Sequence, residues 1–400
     1  MWKKLNRISL HIIIGTFFAR AATFMTIPFL SIYLTKVKGV SAVEAGMIIG
    51  ISSFVSIFSG FIGGYLSDRF GRKNVMISSI WLWSLVFIGF AVANDVWLFF
   101  LLNALHGICR SFFEPSSRAL LSDVTKQEHK LLVFNLRYAA INVAAAIGPL
   151  LGLKMGSASS TLAFWLTAFI YGLYGVSLWW LSQREVVSSQ PKETRVTFRK
   201  ACTVIVHDKI FLLGMIGITL GVAGYSQFSS TIPQYVSSYT DGVQLFSYLI
   251  VVNAITVLIA QYPITRIGKM YSPAVSIALG TITSGIGLWL FGLFHHPLLL
   301  VTAMVVFTIG EVMMFTMTDL FVDQIAKPQM KGLYFGAMGF TSIGNAFGPV
   351  VGGFLLSFFG MSRGGYLFAS LALLSFLGFP FLFYVAYLIK EKKQTVEYSA

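Results

Sequence analysis

The chain has 400 residues, of which 56% are hydrophobic and only 11% charged, with a formal net charge of +14 and a mean hydropathy of +0.77. Soluble domains carry about 25% charged residues, so a chain this apolar cannot present water with an ordinary surface and must be solvated largely by lipid. Its 29 Lys and Arg are spread over many short loops rather than gathered on one face, which argues against a nucleic-acid surface. Two cysteines, Cys109 and Cys202, supply neither a disulfide framework nor a metal cluster.

A helix needs roughly 20 apolar residues to cross a hydrocarbon core about 30 Å thick. Segments of that length are predicted near 9–33, 45–66, 75–94, 97–121, 131–155, 161–181, 211–235, 245–262, 272–294, 298–322, 332–359 and 366–389. Twelve such spans leave no room for a sizeable soluble domain, so function is expected inside the membrane part. The first span is too long for a removable signal peptide and lacks a small-residue cleavage site. Of the 29 basic residues, 21 fall in loops on the side shared by both termini and four on the opposite side. By the positive-inside rule both termini are expected in the cytoplasm. The other four are Arg20, Arg110, Arg118 and Arg137, all at membrane depth.

The longest polar stretch, 182–210, divides the chain near its midpoint. It holds Arg184, Glu185, Lys192, Glu193, Arg195, Arg199 and Lys200, and residues 198–209 are predicted as a short amphipathic surface helix. The two sides repeat. Thr26-Ile27-Pro28 recurs as Thr231-Ile232-Pro233, and Gly148-Pro149-x-x-Gly152 as Gly348-Pro349-x-x-Gly352. Asp123 recurs as Asp323, and Arg69-Phe70-Gly71-Arg72 as the degraded Arg266-Ile267-Gly268-Lys269. The expected fold class is therefore an all-α polytopic membrane protein of twelve spans: a six-helix bundle at 1–182, a cytoplasmic linker at 183–210 and a second six-helix bundle at 211–400. Six spans per half make this a parallel pseudo-repeat, an arrangement that places substrate near the bilayer midplane and works by alternating access.

The sharpest motif follows the second span: Gly64-x-x-x-Asp68-Arg69-x-Gly71-Arg72-Lys73. It resembles the G-x-x-x-D-R-x-G-R-K loop of the major facilitator superfamily, and the chain is similar to that superfamily along its whole length. The resemblance implies a cytoplasmic gate in which Asp68 meets the N-terminal end of the eleventh helix, where the helix dipole favours negative charge. It also implies a pairing of Arg72 with Asp123. A basic loop obeying only the positive-inside rule would not require an Asp and two Gly at these positions.

A second motif, Gly344-x-x-x-Gly348-Pro349-x-x-Gly352-Gly353, has a weaker copy in the fifth span at Gly148, Pro149 and Gly152. It resembles the antiporter motif of the drug–proton exchangers of that superfamily, although Ala144 and Leu153 stand where the fifth-span motif has glycine. Small residues four apart also let helix backbones approach closely, and proline bends a helix, so packing alone is a second reading. The fourth-span stretch Asn103-Ala104-Leu105-His106-Gly107 replaces the Arg and Gln of the R-x-x-Q-G pattern common in those exchangers. Arg110, about two turns further on, is the candidate substitute. His106 titrates near neutrality and is a candidate proton carrier, with a packing role as the plainer reading.

Charged residues at membrane depth are costly and mark functional sites or structural ion pairs. Arg110, Glu114 and Arg118 are spaced to stack Arg–Glu–Arg on one face of the fourth helix, which casts Glu114 as an anchor or switch partner. In the tenth span, Glu311 has no cation on its own helix and is the first-choice proton carrier, with Asp319 as a relay. Aromatic and Met residues such as Phe17, Phe24, Tyr225, Phe228 and Met314 are equally suited to an adaptable cavity or to lipid-facing filler.

No G-x-x-x-x-G-K-[ST] loop occurs, so the proton gradient rather than a nucleotide or other cofactor is the expected energy source. Neither catalytic residues nor a metal site is expected, and the six His form no H-E-x-x-H. The expected function is a proton-coupled exporter of small amphipathic compounds, a multidrug/proton antiporter, acting as a monomer in a bacterial cell membrane. Its partners would be a small-molecule substrate, protons and membrane lipid, with no nucleic acid. The main alternative is a dedicated transporter of one metabolite or organic anion, such as a sugar or siderophore, which Arg20, Arg110 and Arg137 would favour. A membrane-embedded enzyme or a lipid flippase is more remote.

Overall fold

A computed structural model describes residues 6–40, 42–155, 160–184, 197–236, 242–268, 272–294 and 296–398. Among these there is no strand. Backbone N–H and C=O groups in lipid have no water to bond, so helices that satisfy them internally are the available solution for single segments. Six helices precede the linker: α1 (Arg7–Lys36), α2 (Ala42–Phe70), α3 (Arg72–Val92), α4 (Val96–Val124), α5 (Lys130–Lys154) and α6 (Leu162–Arg184). The predicted surface helix is α7 (Phe198–His207); Glu185, Lys192, Glu193 and Arg195, like Lys269 and His295, lie outside the described residues.

The rest of the chain forms α8 (Lys209–Tyr225), α9 (Thr231–Val236), α10 (Gly242–Gly268), α11 (Pro273–Leu293), α12 (Pro297–Ile325), α13 (Lys331–Ala337), α14 (Ser342–Phe359) and α15 (Gly364–Tyr398). Among the described residues, eleven helical segments are long and apolar enough to cross a membrane, and a shorter apolar helix spans Tyr248–Ile264. The chain is thus a multi-pass membrane protein by length and composition.

Local chemistry sets several boundaries. Asp208 caps α8 by accepting from the Phe211 N–H at 3.0 Å, and Ser272 caps α11, which starts at Pro273. Gly71, with φ of +94°, turns the chain from α2 into α3 in one residue. The seventh span, predicted as continuous, is broken by a 3-10 turn at Ser226–Phe228. The hydroxyls of Ser229 and Ser230 both donate to the carbonyl of Ser226, and Pro233 has no N–H to return to the carbonyl of Ser229. The eleventh span breaks in the same way, at a 3-10 segment over Met338–Thr341.

By internal contacts the chain divides into Met1–Thr203 with Ala326–Gly339, and Val204–Ile325 with Phe340–Ala400. In the first unit α1 packs on α5 and α6, α2 on α4, and α3 on α4 and α6. In the second, α8 packs on α14 and α15, α10 on α12, and α11 on α12 and α15. The pairings correspond one for one, so the repeat read from sequence is also a repeat of packing.

Aromatic rings fill both cores. In the first unit Phe87 stacks on Tyr171, and Trp83 lies 4.7 Å from Tyr171. In the second, Tyr225 and Phe228 stack on Phe307 beside a buried cluster that includes Leu288, Phe291 and Phe368.

Segment 326–339 groups with the first unit because α13 lies directly against α2. A Cβ on Gly64 would sit 2.7 Å from the Gly332 carbonyl carbon, and one on Gly332 would sit 2.6 Å from the Gly64 oxygen. Only glycine fits there, as in small-residue helix contacts generally. Replacing Gly64 by Val forces these backbones apart, and overpacking of this kind costs about 1–3 kcal/mol. A lowered thermal unfolding midpoint of purified Gly64→Val is the expected result, with Gly353→Ala as the control, since a Cβ on Gly353 would have nothing within 4 Å.

Candidate functional site

Three groups of polar side chains stand out, two in the first unit and one in the second. The first is the loop motif between α2 and α3. Asp68, in the last turn of α2, accepts from the backbone N–H of Gly332 at 3.0 Å and of Leu333 at 2.7 Å. These N–H groups lie in the first turn of α13, where helical partners are lacking. Arg72 pairs with Asp123 at the end of α4 and donates to the Ala119 carbonyl at 2.9 Å. It also reaches Asp68 at 3.4 Å and the Pro328 carbonyl at 3.5 Å. One guanidinium fork therefore ties α2, α4 and the approach to α13 together. Arg69 donates to the Tyr65 hydroxyl at 2.9 Å, and its guanidinium lies 5.5 Å from the Phe70 ring. Lys73 follows in the first turn of α3. Lys331 and Lys130, both buried, donate to the Ser122 hydroxyl at 2.7 and 3.1 Å.

The second group is built on Glu114, which is 8% exposed in α4. Arg20 of α1 binds its Oε1, and Arg137 of α5 binds its Oε2. Arg118, one turn on in α4, stands 3.8 Å from Oε2. The sequence spacing implied an Arg–Glu–Arg stack along α4 itself. The structure gives that carboxylate instead to α1 and α5, with Arg118 at the margin. Arg110 forms no ion pair or hydrogen bond among the described residues and is exposed, although it lies within electrostatic range of Arg20, Glu114, Arg118 and Tyr171. All four membrane-depth arginines thus gather around one acid.

His106, one turn before Arg110 on α4, is buried, and the Trp83 Nε1–H donates to its Nδ1 at 2.8 Å. An indole nitrogen only donates, so Nδ1 carries a lone pair rather than a proton. The ring is also edge-on to Trp83 and Phe87. Its neighbours in the departed motif pack as well: Asn103 donates to the carbonyls of Ile48 and Ile49, and a Cβ on Gly107 would lie 3.0 Å from the Ser52 backbone.

The third group is in the second unit. Glu311, 2% exposed in α12, accepts from the Asn253 amide at 2.8 Å, and that amide also donates to the Thr308 hydroxyl at 2.9 Å. The Tyr225 hydroxyl, at the end of α8, is hydrogen-bonded to Glu311 as well. Asp319 lies two turns further along α12 and is partly buried. Asn253 and Thr308 escaped the sequence reading. The signal was present, since Asn253 is an amide in the middle of an apolar span and Thr308 precedes Glu311 by one turn.

Both copies of the glycine–proline motif are packing surfaces. A Cβ on Gly148 would lie 2.6 Å from Phe24, and one on Gly152 would lie 3.0 Å from Met25, which seats α5 on α1 around Pro149. In the second unit a Cβ on Gly344 would meet Ala223 at 2.9 Å, and one on Gly348 would meet its carbonyl at 2.6 Å. Gly352 abuts Gln227 and Thr231, and the Gln227 amide donates to the Gly348 carbonyl at 2.8 Å, next to Pro349. Gly353 touches nothing within 4 Å.

Residues 12–342 match the family model described as Major Facilitator Superfamily. Over 385 residues the chain is 49% identical to the uncharacterized MFS-type transporter YqjV of Bacillus subtilis, covering 95% of this chain and 94% of that protein. Over 381 residues it is 27% identical to a Na+, Li+, K+/H+ antiporter of Planococcus maritimus, covering 87% and 89%. Among solved structures it is similar to FucP in the outward conformation, with a TM-score of 0.77 at 13% identity over 95% of this chain and 99% of that one, a likeness of fold.

The Glu114 group makes a direct prediction. Removing one partner of a buried ion pair leaves an uncompensated charge and costs about 3–5 kcal/mol. Glu114→Gln strips both Arg20 and Arg137 of their partner, so a large drop in thermal midpoint is expected. A variant as stable as the parent would mean that the arginines are satisfied elsewhere.

Proposed function

Because this chain belongs to the major facilitator superfamily, a family of transporters rather than enzymes, we propose that it is a secondary active transporter that exports small amphipathic compounds in exchange for protons. It works by alternating access, with twelve spans and both termini in the cytoplasm of a bacterial cell, as a monomer. The bias of 21 basic residues against four across the loops supports that orientation. The antiporter named among its relatives supports exchange with protons.

The environment of Glu311 carries the reading. Its carboxyl is buried at membrane depth against the Asn253 amide and the Tyr225 hydroxyl. An amide offers a donor on one side and an acceptor on the other, and a phenol can donate or accept. Each can bond the carboxylate or, after a small rotation, the protonated acid, so the group can gain and lose a proton without leaving a buried polar atom unsatisfied. Glu114 differs in kind: guanidinium groups only donate, so a proton on either oxygen would face a donor and break the paired contacts that Arg20 and Arg137 make with the carboxylate. Glu311 is therefore assigned as the proton carrier, Asp319 as a relay along the same helix, and Glu114 as an anchor. The geometry of Asp68, Arg72 and Asp123 supports a cytoplasmic gate.

The test uses purified protein in liposomes with a pH-sensitive dye inside and an imposed proton gradient. Amphipathic compounds added in turn are expected to trigger proton movement, and Glu311→Gln is expected to reduce it to the level of empty liposomes. Undiminished coupling in Glu311→Gln would sink this assignment.

A further inference from the structure

The charges around Glu114 do not balance. Arg20, Arg110, Arg118 and Arg137 are grouped about a single carboxylate, one of whose oxygens is bound by Arg20 and the other by Arg137. Arg110 sits one helical turn before Glu114 on α4 and obtains neither oxygen. It is exposed, makes no ion pair or hydrogen bond among the described residues, and lies close enough to Arg20 for the two cations to repel. A guanidinium is charged at any physiological pH. Holding one at membrane depth without an ion pair of its own is costly, and such residues face a water-filled cavity or meet a partner.

From this excess we propose that Arg110 receives the anionic group of the transported compound, which makes the substrate an amphipathic organic anion such as a carboxylate, sulfonate or phosphate monoester. This deepens the export reading above and rests on it for direction and coupling. The planar fork of Arg110 matches two oxygens of such a group, whereas an ammonium compound would meet only repulsion from Arg110 and Arg20. The energetics agree. Moving an anion out and a proton in are both favoured by a membrane potential negative inside, so exchange of the two is driven twice over.

The probes are naphthalene derivatives that share one ring and differ in charge: 1-naphthalenesulfonate, 1-naphthoate and 1-naphthyl phosphate against N,N,N-trimethyl-1-naphthylammonium. Binding to the full-length protein in phosphatidylcholine nanodiscs is read by tryptophan fluorescence, which needs no proton coupling. At least one anion is expected to bind about 10-fold tighter than the ammonium, a difference of about 1.4 kcal/mol. Arg110→Gln should erase that preference and Arg110→Lys should keep much of it. A second measurement on the unmutated chain guards against a folding defect: phenylglyoxal labelling of Arg110, read by mass spectrometry, should be blocked by the anion and not by the ammonium. Preference for the ammonium, unchanged preference in Arg110→Gln, or labelling indifferent to the anion would each overturn the proposal. Protection by phosphatidylglycerol alone would overturn it too, by making a lipid headgroup the ligand. Anion binding that depends on Arg110 without any proton movement in the liposome assay would uphold the site and remove the exchange reading instead.

Discussion

The carboxylate of Glu114 is the contact on which the first unit depends. It lies on α4 and draws in one arginine from α1 and another from α5, so three helices that hydropathy alone would leave free to slide are fixed in rotation and depth. In lipid the alternative is an isolated cation, which is worse by several kcal/mol, and that penalty turns an ordinary ion pair into a registration device. The surrounding packing agrees with this register. Gly148 and Gly152 bring α5 onto α1, and Thr23 and Tyr171 bond at 2.7 Å between α1 and α6.

The two units share a packing scheme and differ in chemistry at corresponding places. Arg20 and Tyr225 are 205 residues apart, the same offset that relates Thr26-Ile27-Pro28 to Thr231-Ile232-Pro233. Each projects from the first span of its half onto an acid of the fourth span: Arg20 onto Glu114, Tyr225 onto Glu311. Replacing a guanidinium by a phenol changes what the acid can do. The first contact is an ion pair that exists in one protonation state, whereas the second survives in either. The duplicated packing thus sets one carboxylate between guanidinium groups and the other between an amide and a phenol.

Much of this was legible in the sequence because lipid imposes strict rules. Apolar length gave the helices, and the family resemblance carried by the Asp68–Arg72 loop implied the contacts of Asp68 with the eleventh helix and of Arg72 with Asp123. Other features depend on tertiary partners and were invisible. Local spacing placed Glu114 between Arg110 and Arg118, yet Arg20 and Arg137 approach across helices and take its oxygens. The breaks at Ser226–Phe228 and Met338–Thr341 fall within apolar runs, so hydropathy passed over them. Serine hydroxyls and Pro233 account for the first only once their carbonyl partners are known. His106 read as a candidate proton carrier with packing as the plainer role, and the Trp83 N–H aimed at its Nδ1, which favours packing, was not visible in the sequence.

The gate motif shows why its glycines and its acid occur together. Asp68 bonds backbone N–H groups, not a side chain, and a short carboxylate reaches them only where two helix backbones nearly touch. Gly64, one turn earlier on α2, removes the Cβ that would hold α13 away, and Gly332 and Gly336 do the same from the other side. Such a contact is strong when the backbones meet and is lost entirely once they separate by an ångström or two, because hydrogen bonds weaken steeply with distance. A long flexible ion pair would instead follow the motion and weaken gradually. The Gly64–Asp68 spacing therefore makes this contact depend steeply on the separation of α2 and α13.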